Sequence, residues 1–119
     1  MKRLSVLLTS ALLLAGCAPA MNITPEVRRQ AAAISIVTPE QIGDRKYSIL
    51  AEVSGHSCAR QVGSDPSMDA AREDLKIKAA QMGADAVASV LCKEGQISWT
   101  RNCWKTIECR GDAIRWLTA

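Results

Sequence analysis

Apolar residues run almost unbroken from Leu4 to Ala15, interrupted only by Ser5, Thr9 and Ser10. Residues 18–33, with Pro19, Pro25 and Arg28-Arg29, read as a tether that Ala31-Ala32-Ala33 allows to be partly helical, and no core contribution is expected there. Residues 34–37 (Ile-Ser-Ile-Val) read as a short strand, broken by Thr38-Pro39-Glu40 and a second turn signal at Gly43-Asp44. From Tyr47 to Ser54 the pattern alternates, with Tyr47, Ile49, Ala51 and Val53 on one side, which predicts a half-buried strand ended by Gly55. Residues 55–66 carry Gly, Ser, Asp and Pro and read as loop. Met68, Ala71, Leu75, Ala79 and Met82 then fall at steps of 3 and 4, one stripe of a helix. Ser67 is suited to cap its start and Gly83 to close its end. Ala86 to Cys92 is short and apolar enough for a buried strand, and 93–101 is a polar loop. Residues 102–110 return as a strand with Cys103, Ile107 and Cys109 on one face. Gly111-Asp112 predicts a turn, with 113–117 as an added edge strand. The order predicts an α+β fold: a small, mostly antiparallel sheet covered by one main helix.

The first apolar run is preceded by Met1-Lys2-Arg3 and followed by Leu14-Ala15-Gly16-Cys17. Charged, then apolar, then small is the order of a secretory signal. A spanning helix needs about 20 apolar residues, and this run is shorter. The last four residues match the lipobox of bacterial lipoproteins. Small residues let the chain lie extended in a peptidase groove, and the cysteine thiol accepts diacylglycerol. Residues 1–16 are therefore expected to be cleaved, leaving Cys17 as a lipid-bearing N-terminus and 17–33 as tether. The domain proper is expected to span 34–119 and face the periplasm. The usual inner-membrane retention signal is an aspartate after the cysteine. Here Ala18 stands in its place, which favours the outer membrane.

Removal of Lys2 and Arg3 with the signal leaves 13 basic and 12 acidic side chains, a net charge near +1. That is no footprint for nucleic acid. With no phenylalanine and one tyrosine, the core must rest on small aliphatic residues, and a domain this short is marginal on burial alone. Besides Cys17 there are Cys58, Cys92, Cys103 and Cys109, an even number in an exported chain, so two disulfides are expected. Structural zinc sites bring ligands in tight pairs, whereas these gaps are 34, 11 and 6 positions and His56 is the only histidine. Spacing alone leaves all three pairings open. Cys92 is in phase with Val90 and Cys109 with Ile107. If their strands are antiparallel neighbours, a Cys92–Cys109 bridge is reasonable and Cys58 is left with Cys103.

Glu52-Val53-Ser54-Gly55-His56-Ser57-Cys58 resembles the opening of the RcsF domain, found in outer-membrane lipoproteins that feed the Rcs envelope-stress phosphorelay. Ala70-Ala71-Arg72, the helix to Met82, Ala84-Asp85-Ala86-Val87 and the spacing of Cys92, Cys103 and Cys109 are similar to that family too. The likeness covers residues 47 to 111. It implies disulfides between the first and third and the second and fourth cysteines, here Cys58–Cys103 and Cys92–Cys109. It also implies an interaction protein without catalysis. Its partners would be the barrel-assembly machinery or an outer-membrane barrel, and an inner-membrane regulator. The family's tether is long and proline-rich, and the one here is short.

An enzyme needs convergent titratable groups, and no Ser-His-Asp set, paired-carboxylate motif or phosphate loop is present. No cofactor is expected beyond covalent lipid on Cys17, and no small-molecule substrate or nucleic acid. His56, in the loop beside a disulfide cysteine, and Trp99 are candidate partner contacts, tryptophan being enriched at interface hot spots. The expected function is that of an envelope-stress sensor acting by regulated protein binding. A structural or assembly-associated lipoprotein without signalling is the alternative.

Overall fold

The computed structural model describes residues 23–95, 97 and 102–117. Three helices and four strands follow in the order α1 (Pro25–Ala33), β1 (Ser35–Val37), α2 (Pro39–Ile42), β2 (Tyr47–Ala59), α3 (Met68–Gln81), β3 (Ala86–Gly95) and β4 (Lys105–Trp116). The sheet order is β1-β3-β4-β2, with β4 antiparallel to both neighbours and β1 parallel to β3. It is the expected α+β architecture: a mostly antiparallel sheet under one main helix, with two disulfides.

Helix α3 forms where the stripe predicts. The Ser67 hydroxyl accepts from the Ala70 amide at 3.2 Å. Gly83, at φ 76°, lets the Ala84 amide reach back to the Ala79 carbonyl and its own amide to Ala80. Ala71, Leu75 and Ala79 are fully buried, while Met68 and Met82 at the stripe's ends remain partly exposed. Under the helix lie Val53, Val87, Ile107, Cys109 and Ala113.

Residues 25–33 differ from the expectation of a tether without a core role. Thr24 caps α1, Pro25 occupies its first position, and Ala31 and Ile34 belong to the core cluster, with Val27 packed against it. Alanines let α1 approach α3 closely, a contact that a search for large apolar side chains does not find.

Strand β2 continues through Gly55 to Ala59. A Cβ on Gly55 would run into the Ala71 carbonyl oxygen and the Leu75 backbone, so the glycine serves helix–sheet contact rather than a strand end. A bulge between Ile49 and Ala51 turns Tyr47 and Ile49 to the opposite face from Val53, and Ile49 is 57% exposed. The single alternating face read from the sequence therefore holds only from Ala51 onward. Strand β3 likewise extends into the expected polar loop, as far as Gly95.

The turn expected at Gly111-Asp112 is not a turn. Strand β4 passes straight through both residues and is central in the sheet. A Cβ on Gly111 would lie 2.7 Å from Val87 Cγ1 and 2.8 Å from Val90 Cγ2, so the missing side chain makes room for the bulge of β3 between Ala88 and Leu91. Ser89, at φ 54°, sits in that bulge.

Candidate functional site

Two ends of the sheet face turned away from α3 are finished differently. At one end Ala86, Ala88 and Ile114 are buried beneath Val37, Ile42 of α2, and Trp116. The Arg45 guanidinium lies 3.8 Å from the Trp116 ring centre, and Tyr47 meets that ring edge-on at 6.2 Å. The other end has no covering element among the described residues.

Register lays out the open end as a grid. Glu52 stands opposite Asp112; Ser54 and Leu91 flank Arg110; His56 and Lys93 flank Glu108. His56 Nε2 is 3.3 Å from Glu108 Oε2, and both side chains are about four-fifths covered. Arg110 pairs with Glu108 through Nε and approaches Glu52 Oε1 with Nη1 at 3.7 Å. The Arg110 hydrogen bond, helped by its charge and by His56, holds the Glu108 carboxyl below its ordinary range, against the opposing pull of burial. Leu91 stands beside this network 80% exposed. The surface carries a charge pattern around an exposed apolar side chain. Among the described residues no group of three or more His, Cys, Asp or Glu could hold a metal ion.

His56 is a strand residue of β2, not a loop residue. Its backbone amide donates to Asp74 Oδ2 of α3 at 2.8 Å, and the same oxygen takes Lys78 Nζ at 3.0 Å. The residue ties the helix side to the open side. Trp99 and Cys17 lie outside the described residues. Sequence reasoning missed Glu52, Leu91, Lys93, Glu108 and Arg110. The signal available was Glu108-x-Arg110-x-Asp112, three charges in one phase of a strand whose other phase is apolar.

The disulfides frame this site. Cys92 and Cys109 are direct cross-strand partners, Cα atoms 4.0 Å apart. Cys109 is fully buried on the helix side, with the Met68 sulfur 4.0 Å away. Cys58 joins Cys103 with Cα atoms 5.4 Å apart, tying the end of β2 to the segment that enters β4. These are the pairings that the family resemblance implied.

Residues 18–116 match the RcsF lipoprotein family. The chain belongs to that family. Among its relatives is the outer membrane lipoprotein RcsF of Escherichia coli strain K12, 30% identical over 87% of this chain and 90% of the relative. The protein of the same name in Escherichia coli O6:H1 strain CFT073 is similar to the same extent. The match to the RcsF family begins just after Cys17 and takes in α1, in line with the packing of that helix onto the core. Among the described residues no helix is long and apolar enough to cross a membrane.

Proposed function

We propose that this chain is an outer-membrane lipoprotein, held by acyl chains on Cys17, that senses envelope stress and signals by regulated binding to a phosphorelay. RcsF family membership and the name of the Escherichia coli relatives support the setting. The observation that carries the binding role is the open sheet end, where Glu52, His56, Glu108 and Arg110 surround exposed Leu91. Partners of the kind implied are the barrel-assembly machinery or an outer-membrane barrel, and an inner-membrane regulator. His56 and Trp99 are proposed to lie at partner contacts, and the signal peptide is proposed to end at Gly16.

The second reading, an assembly-associated or structural lipoprotein without signalling, draws on one observation. Helix α1 is docked from Pro25 onward. From Cys17 to Thr24 the chain then spans at most about 24 Å, at roughly 3.4 Å per residue. A domain held that close to its anchor favours partners at the outer membrane.

The test combines palmitate labelling with a phosphorelay reporter in the native cell. Label on the wild type and none on Cys17→Ser, with a reporter that rises on envelope damage only when the chain is present, is the expected result. A reporter indifferent to the chain's deletion refutes the sensor reading and leaves the structural one. Unlabelled wild type refutes the anchor.

A further inference from the structure

We infer that the outer edge of β3 beyond Ala88 is a docking edge for an extended segment of another protein, added to the sheet as a fifth strand. The inference rests on the binding reading above for the existence of a partner. Its location comes from the sheet alone.

Strand β1 pairs with β3 only over Ala86–Ala88. After Val37 the chain turns away, because Thr38 caps α2 in a reciprocal capping box with Gln41 and Pro39 starts the helix. Strand β3 continues for seven more residues, to Gly95. Over that stretch no described strand lies on its outer side. The Cys92–Cys109 Cα separation of 4.0 Å is that of a cross-strand pair which does not exchange backbone hydrogen bonds. The Cys92 amide and carbonyl therefore point away from β4, and so do those of Glu94, two residues on and paired with Ile107. No hydrogen bond among the described residues engages them. Two rungs of an unfilled ladder face outward, flanked by exposed Leu91, Lys93, Glu94 and Gly95.

The opposite edge of the sheet is not equivalent. There the outward amide of His56 is already taken by Asp74, and Ser57 Oγ accepts from the Ser67 amide. Helix α3 engages the β2 edge at His56, whereas nothing among the described residues engages the outer edge of β3 beyond Ala88. Long unguarded edges are rare, because they template pairing with other chains.

Side-chain chemistry selects the occupant. Leu91 and Lys93 share one face, and an added strand would place two alternate residues beside them. Leu91 calls for an apolar neighbour. Lys93 stands opposite Glu108, whose carboxylate is already held by Arg110 and His56, and Lys93 makes no ion pair among the described residues. It calls for a carboxylate. A second copy of this chain fits poorly, since symmetric pairing centred on the exposed stretch sets Lys93 against Lys93, and like charges directly opposite are destabilising. The fitting segment has an apolar and an acidic residue two positions apart.

The experiment uses the full-length protein in envelope-stressed native cells grown with photo-leucine, which keeps the leucine shape at position 91. Crosslinks from that residue are mapped by mass spectrometry in the wild type, Glu94→Ala, Glu94→Pro and Lys93→Glu. Proline removes the outward amide of residue 94, which the β3–β4 ladder does not use. A crosslink to one segment of another protein is expected. It should persist in Glu94→Ala and fall about tenfold in Glu94→Pro, as loss of a backbone hydrogen bond predicts. It should fall in Lys93→Glu as well. Equal crosslinking in Glu94→Pro and Glu94→Ala overturns the proposal. So does a crosslink to lipid or to a second copy. If Glu94→Pro loses its disulfides on non-reducing peptide mapping, Lys93→Glu decides by itself, and an undiminished crosslink there overturns the proposal. A reporter that still responds to stress in edge variants with full crosslinking leaves the sensor reading standing while removing this one.

Discussion

The two faces of the sheet are written in alternate residues of the same strands and have opposite characters. On β4, Ile107, Cys109, Gly111 and Ala113 face α3, while Thr106, Glu108, Arg110 and Asp112 face the other way. The helix side is dry and closely fitted, down to glycines that admit neighbouring backbone and side chains. The far side keeps a half-exposed charge network and an almost fully exposed leucine. Core packing fills the first face and the covered end of the second, while the charged network lies at the open end of the second. Substitutions on the two faces should therefore separate folding from function.

The largest effect is expected at Gly55. A valine there would drive its side chain into the Ala71 carbonyl and the Leu75 backbone, and backbone cannot step aside as a flexible side chain can. A loss of about 5 kcal/mol is expected, at the far end of the range for one substitution and comparable with the whole stability of a small domain. Denaturant unfolding checks it. A Gly55→Val protein with a wild-type midpoint would mean that α3 is not seated against β2.

Next come the staples. Cys58–Cys103 bridges a sequence separation of 45 residues and Cys92–Cys109 one of 17. In the chain-entropy model their removal costs about 4 and about 3 kcal/mol respectively. The second figure omits the loss of packing at Cys109, which is fully buried beneath Met68. Paired Cys→Ala substitutions, each compared with wild type by thermal unfolding, test the ranking. If the Cys92–Cys109 pair proves the costlier, burial outweighs loop length in this domain.

Much of the helix face was legible because its signals are local. The stripe from Met68 to Met82, the Ser67 cap and Gly83 need nothing beyond α3 itself. Cys92 and Cys109 were in phase with their buried neighbours, and the family resemblance fixed the pairing. What failed depended on partners distant in sequence. Gly55 and Gly111 carry turn chemistry as letters, yet both sit inside strands, because α3 and the β3 bulge press against them. Ala31 looked like tether, because a small side chain buries little area and its partner helix α3 is distant in sequence. The open site was least legible. Glu52, Leu91, Glu108 and Arg110 come from three strands, and only the register puts them side by side.

Leu91 sharpens the comparison from the other direction. It is 80% exposed, so Leu91→Ser removes almost no buried surface and should shift stability by less than about 0.5 kcal/mol. The reporter response to envelope damage should nonetheless fall. A large drop in the unfolding midpoint would show that this face is also part of the core.

The smallest stability effect is expected from Glu108, and its dependence on pH gives it a signature. Arg110, assisted by His56, holds the folded carboxyl below its ordinary value. The unfolded chain then binds that proton at higher pH than the folded one, so the pairing stabilises the fold above about pH 4.3 and its contribution is lost as pH falls through the lower folded value. The pair is solvated on the Arg110 side, which keeps the contribution small. Urea midpoints of wild type and Glu108→Gln should therefore differ most above the ordinary glutamate range and converge as pH falls through the lowered folded value. A gap that widened on acidification would require the Glu108 carboxyl to be raised on folding, with burial prevailing over Arg110. The open face would then owe its charge pattern to something other than this pair.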